Sequence, residues 1–280
     1  MGNANSITFA YLISQEYLHK ALVSVRSIQQ FYPSMIDFHI AYYDSQLPSK
    51  EVQELFGKNV YWHLKGKLQN FWGIYADRPL FVLELFEDGY KQVNHIGADV
   101  VAYSESIDLQ LTYSQDAAFI CHSHLPNNNP VHLHKTGLLN SDLTYWRFSE
   151  DSINFLKWQA EQLKQVNSDK EGYFFDQVYL DFALTQCSEV QILTPNSYGK
   201  AYYNLHEGFS RTNLVAFHFS GFMEEFPSLL SKFNFDKKHL TVEVVQLALE
   251  YGERLYAAKE EIKQANSTEA RVLRHYPMFR

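Results

Sequence analysis

A carboxylate at the end of an apolar strand can hold a divalent ion, and Asp99 stands in such a place in "KQVNHIGADVVAYSES" (91–106). The same position also suits an ordinary solvated strand terminus. Histidine is the second source of chemistry. His122 and His124 lie two apart, as do His132 and His134. Two short strands would project each pair to one face, where four imidazoles suit a zinc hydrolase. The intervening "LPNNNP" must then fold as a tight hairpin. His218 lies in "FHFSG", among aromatics and before a small-residue turn at Ser220 and Gly221. It reads as a satisfied core histidine or as a ligand for metal or phosphate. Asp176 and Gln177 open a helix in "EGYFFDQVYLD". Asp176 there caps the helix or faces a cleft, where adjacent polar side chains read sugar hydroxyls. "YYNLHE" (202–207) is a similar polar and aromatic element.

The elements that position these residues follow from hydrophobic periodicity. "SITFAYLIS" (6–14) reads as a buried first strand. Leu18, Leu22, Val25 and Ile28 then share a helix face, which Pro33 ends. "DFHIAYYD" is a second strand closing on Asp44, "SKEVQELFG" a short helix and "VYWHL" a third strand. "DRPLFVLELFEDGY" is a helix with Gly89 at its C-cap, followed by the strand that leads to Asp99. This alternation predicts a mostly parallel sheet flanked by crossover helices, with ligands beyond the carboxyl ends of its strands near Tyr11, Asp44 and Asp99. Further strands are expected within "AAFICHSHLPNNNPVHLHKTG", which also holds a polar loop and a short extended piece, and in "LLNSDLTYWRFS", "EVQIL" and "LVAFHFSGF". Helices are expected in "EDSINFLKWQAEQLKQVN", "DQVYLDFALTQ" and from about Leu240 to Gln264. The domain division is a catalytic domain over 1–225 and a helical C-terminal extension over 226–280.

Composition narrows the function classes. Charged residues make up 20% of the 280 and the formal net charge is −8, which argues against a nucleic-acid partner because phosphates demand a cationic stripe. No apolar run reaches the roughly 18 residues of a membrane span, and no secretory signal opens the chain. Two cysteines, Cys121 and Cys187, form no disulfide framework. A cytoplasmic protein is expected, with peripheral membrane contact allowed by the basic, aromatic end "RVLRHYPMFR". "MGNANS" fits the myristoylation pattern at Gly2. No G-x-G-x-x-G or Walker A sequence follows the first strand, so neither dehydrogenase nor kinase chemistry is indicated.

The order of the pieces carries a resemblance. "YLISQEYLHKALVSVRSIQQFYP", "DRPLFVLELFEDGYKQVNHIGADVVAYSESIDL", "KTGLLNSDLTYWRFSEDSINFLKWQAEQ", "GYFFDQVYLDFA", "YYNL" and "FHFSGF" together resemble bacterial glycosyltransferases of the GT-A fold, like those of glycosyltransferase family 8. The likeness runs from about residue 6 to 222. It implies transfer of a sugar, retaining its configuration, from a nucleotide diphosphate donor, UDP-linked, to a glycan or lipid-linked acceptor in polysaccharide synthesis. It also implies a divalent metal bridging the donor phosphates, manganese or else magnesium, held by Asp99 and His218. Asn140, Asp176 and Gln177 would contact the donor sugar, and Tyr11 would lie near the base. Gly97, Ala98 and Gly221 would line the donor site. The chain departs from the family at Gly97, where the D-x-D metal motif has its first aspartate; water or another carboxylate, such as Asp108, could substitute. A degenerate transferase that only binds glycan or nucleotide is the alternative, with the zinc hydrolase of the four histidines as a further one.

Overall fold

The computed structural model describes residues 7–32, 36–68, 73–109, 116–123, 136–165, 175–193, 198–224 and 240–275. The central sheet is built from β1 (Ile7–Ser14), β2 (Ile36–Tyr43), β3 (Val60–Leu64), β4 (Gln92–Ile96), β6 (Phe119–Ser123), β7 (Leu139–Arg147) and β8 (Val190–Leu193). Its order is β3-β2-β1-β4-β7-β6-β8. β1 runs parallel to both β2 and β4, whereas β7 runs antiparallel to β4 and β6. β1 and β2 are buried along almost their whole length, as strands covered on both faces must be. A small sheet joins β5 (Val100–Ala102), β10 (Ala216–His218) and β9 (Lys200–Ala201) in the order β5-β10-β9.

Helices cover the central sheet. In α1 (Leu18–Gln29), Leu18, Ala21, Leu22, Val25 and Ile28 face the core at the expected spacing. α2 (Lys50–Leu55) is capped by the Ser49 side chain, which accepts from Val52 N. α3 spans Gly73–Glu87, starting ahead of the expected Asp77 with Pro79 inside it, and α4 spans Glu150–Gln165. The single helix expected over "DQVYLDFALTQ" is two, α5 (Phe175–Leu180) and α6 (Ala183–Gln186). Asp181 stands between them and accepts from the backbone N–H groups of Leu138 and Leu139, so its carboxylate serves the entry to β7.

The last helix, α7 (Val242–His275), runs beyond the expected Gln264. Val244, Leu247, Ala248, Tyr251, Leu255 and Ala258 bury one face of it in the same core as α1 and the central strands. Tyr251 stacks on Phe219 with centroids 3.8 Å apart, directly behind the end of β10. Among the described residues no helix is long and apolar enough to cross a membrane.

Glu224 ties α1 to α7, facing His19 and Lys20 on one side and Lys259 on the other. Burial alone would raise its carboxyl, but His19, Lys259 and Lys20 outweigh it and hold the pKa at about 2. A depressed carboxylate contributes stability above its unfolded value and loses it as pH falls toward the folded one. Glu224→Gln is therefore expected to cost about 1–2 kcal/mol at neutral pH. In urea unfolding the difference from wild type should shrink as pH falls from about 4.5 toward about 2.

Candidate active site

The site forms where β4 ends. Gly97 N donates to Asp142 O at 2.8 Å, and Val100 N returns to Gly97 O at 3.1 Å, closing a turn with Asp99 near its tip. β5 starts at the next residue and pairs antiparallel with β10, setting Val100 opposite His218. Phe219 N donates to Asp99 O at 2.9 Å. Two residues far apart in sequence thus become neighbours through one backbone ladder. His218 Nε2 lies 3.3 Å from Asp99 Oδ1.

A third side chain meets them. Asp142 lies on β7, whose pairing with β4 sets Ile96 opposite Leu143, and its Oδ2 is 3.5 Å from His218 Nε2. Burial by itself would lower the imidazole pKa, but the two carboxylates raise it to about 9, so His218 is an imidazolium at neutral pH. Burial also opposes ionisation of Asp99, yet His218 and Lys20 hold its carboxyl below the usual range. Asp142 Oδ1 lies 3.5 Å from Arg78 Nη2, and Arg78 Nη1 donates to Asp176 and, at 3.2 Å, to Ser141 O. Burial disfavours the guanidinium, but Asp176 and Asp142 hold it charged more firmly than usual.

Asn140 shares a face of β7 with Asp142. Its Oδ1 accepts from Asp142 N at 2.8 Å and its Nδ2 donates to Tyr203 Oη at 2.9 Å. Tyr203 Oη stands 3.5 Å from His218 Nδ1, so one chain of polar contacts links Asn140 to the imidazole. Burial, with Asp142 and Asp99 adding to it, raises the Tyr203 phenol and keeps it neutral. Asp99, Asn140, Asp176 and His218 are therefore gathered around Arg78 and Asp142.

Other predicted residues stand apart. Gln177 is buried at the start of α5, where its Nε2 donates to Thr136 O. Tyr11 is buried in the core, its hydroxyl 3.0 Å from Ser24 Oγ, and Ser24 donates to Val100 O at 2.6 Å. Ser27 Oγ accepts from Ala102 N at 2.9 Å. Tyr11 therefore works through Ser24 on the strand that follows Asp99. Ala98 is buried in the Gly97 turn, and Gly221 takes φ +65° in the turn after β10, where Phe222 N reaches Phe219 O. Asp44 closes its own turn through Ser45 N. Asp108 is buried and turned to Asn94, which donates at 3.2 Å, so Asp142 and not Asp108 is the added carboxylate at the Gly97 turn.

His122 is buried, its ring packed against Gly199, and burial lowers its pKa to about 4. His124, His132, His134, the myristoylation pattern at 1–6 and the end at 276–280 lie outside the described residues. Sequence patterns do not mark Arg78 or Asp142, and they mark Tyr203 only as part of "YYNLHE". Asp142 carried a signal, since it follows Asn140 by two positions in a strand and must share its face.

No family model matches this chain, and no curated protein matches it in sequence. Solved structures match it in shape. The galactosyltransferase LgtC, in complex with donor and acceptor sugar analogues, superposes with a TM-score of 0.56 at 16% identity, covering 88% of this chain and 95% of its own. The glycosyltransferase GlyE of Streptococcus pneumoniae TIGR4 gives 0.57 at 11% identity, over 95% of this chain and 64% of its own. A glycosyltransferase involved in glycosylation of the major capsid of PBCV-1 gives 0.53 at 9%, over 90% and 99%. The fold is that of a GT-A glycosyltransferase. The site just described lies, as expected for such a GT-A sheet, beyond the carboxyl end of its central strand β4.

Asp142, Asp99 and His218 offer two carboxylates and an imidazole, a donor set suited to manganese or magnesium. Among the described residues no three acidic, histidine or cysteine side chains stand ready-made around an ion. Here both carboxylates lie within ion-pair distance of the His218 ring nitrogen. The donor types fit the metal, and the site would admit it by giving up the His218 proton.

The ion pair of Arg78 with Asp176 has side chains only 13% and 4% exposed. Arg78→Met leaves Asp176, whose carboxyl burial already pushes above the usual range, without its cation, at an expected cost of about 3–5 kcal/mol. Arg78→Met with Asp176→Leu should recover most of that loss in urea unfolding at neutral pH.

Proposed function

We propose that this protein transfers a sugar from a nucleotide diphosphate donor, UDP-linked, to a glycan or lipid-linked acceptor. The reading is supported above all by the meeting of Asp99 and His218 at the carboxyl end of β4, in a sheet shaped like those of glycosyltransferases. Asp99 and His218 would hold a divalent metal, which when bound would supply positive charge to offset that of the leaving diphosphate.

The remaining groups position the donor. Arg78 is a fixed cation, held by Asp176 and Asp142, so it orders the polar wall without needing a counter-ion from solvent. Asn140 is oriented by Tyr203 and by Asp142 N, which fixes its amide for hydrogen bonds to sugar hydroxyls. Gln177, one residue after Asp176 on α5, donates to Thr136 O and would steady the start of that helix beneath the sugar. Asn140, Asp176 and Gln177 are buried, and exclusion of water from them would strengthen their contacts. Retention of anomeric configuration is part of the proposal, as is work beside a membrane on a lipid-linked acceptor.

A panel of nucleotide sugars, assayed for released nucleotide with and without manganese, tests the reading. Release should require one donor and rise with the metal. Asp99→Ala and His218→Ala should each lower it by about a hundredfold or more. Nucleotide binding with no release from any donor would leave a binding protein rather than an enzyme.

A further inference from the structure

Gly97 is a glycine without a backbone reason. Its φ is not positive, unlike those of Gly89 and Gly221, so a side chain is compatible with the turn. What occupies the space is Asp142. A Cβ built on Gly97 would stand 3.2 Å from Asp142 Oδ1, 3.3 Å from Asp142 Cβ and 3.3 Å from Asp99 Oδ1. A side chain at position 97 would therefore point into the space between the two carboxylates.

We propose that Asp142 is the second acidic metal ligand of this site, supplied by β7 in place of the acid that β4 lacks at Gly97. Three observations converge on it. The first is the occupied space itself. The second is that Asp142 and Asp99 both reach the same atom, Nε2 of His218, at 3.5 and 3.3 Å. The third is that Gly97 N donates to Asp142 O at 2.8 Å, so the two positions are fixed against each other by the sheet and not by flexible side chains. The exchange keeps the carboxylate count while changing its source. It also gives the ligand a second partner, because Asp142 Oδ1 faces Arg78 while Oδ2 faces His218. The metal would then be coupled through one carboxylate to the Arg78–Asp176 pair, a link that an acid at position 97 would not make. The inference rests on the nucleotide-sugar reading of the site.

The test is Mn2+ binding, measured by electron paramagnetic resonance with Mn2+ alone and with Mn2+ plus UDP. The full chain is compared with Asp142→Asn, Gly97→Asp and the exchanged pair Gly97→Asp/Asp142→Gly, with thermal melts recorded on each. Asp142→Asn should weaken Mn2+ binding by about tenfold or more. Gly97→Asp alone should fail to tighten it, because its carboxylate meets one already present, and should lower the melting temperature. The exchanged pair should regain most of the lost affinity even if a single variant melts early. Unchanged Mn2+ affinity in Asp142→Asn, tighter binding in Gly97→Asp, or no Mn2+ binding by the wild-type chain with UDP would each overturn the assignment. Transfer activity separates the two readings. Donor turnover with unaltered Mn2+ binding in Asp142→Asn defeats the role of Asp142 alone. The expected Mn2+ pattern without turnover of any donor defeats the transferase reading alone.

Discussion

Three carboxylates converge at the end of β4, and their mutual repulsion is the constraint around which the site is built. Asp99, Asp142 and Asp176 cannot all stay ionised in a largely buried region without cations of fixed position. Arg78 answers two of them from α3, and His218 answers two of them from β10. Asp142 is the shared member. Each cation arrives from an element distant in sequence, so the charge balance exists only when α3, β7 and β10 are all in place. Misplacing any one would strand a buried charge, which couples the integrity of the site to the fold.

The fold in turn spends polar contacts on holding the ladder that makes the site. β5 is only three residues long, and a strand that short gains little from its own pairing. Ser24 and Ser27 of α1 bind Val100 O and Ala102 N, and Tyr11 steadies Ser24 from the central strand. Behind β10, Phe219 lies between Phe217 and Tyr251 of α7. Ring stacking of this kind adds about 0.5–1.5 kcal/mol beyond area burial. The terminal helix thus braces the residue next to His218.

Much of this was legible beforehand, for a physical reason. The strands and helices up to Asp99 obey local periodicity, and periods of 2 and 3.6 are written in neighbouring residues. The junction of Asp99 with His218 is not local, and it was reached through resemblance of ordered blocks. Arg78 and Asp142 were missed because their meaning depends on strand order. Nothing in "LLNSDLTYWRFS" says that it runs antiparallel beside β4, and only that register brings Asp142 to Gly97. A place near a strand end suggests Tyr11 as a ligand neighbour, yet in a sheet covered on both faces its side chain falls into the core. The break at Asp181 was hidden for a similar reason. Its amide partners, Leu138 and Leu139, lie far upstream, and no helix propensity records them.

The departure at Gly97 shows how such a gap changes meaning in three dimensions. Along the chain, a glycine where the D-x-D pattern of the family it resembles has an acid reads as loss of a ligand. In the sheet, the vacated volume is continuous with the side chain of an adjacent strand, and that side chain is itself an acid. Electrostatics then decides between loss and exchange. A carboxylate placed beside Asp99 without a cation to share would be repelled outward. Asp142 instead remains within 3.5 Å of His218, in the direction that the absent side chain would have taken. Two acids at positions 97 and 142 together would crowd one another. Under the proposed exchange the glycine is the condition for Asp142 and not a defect beside it.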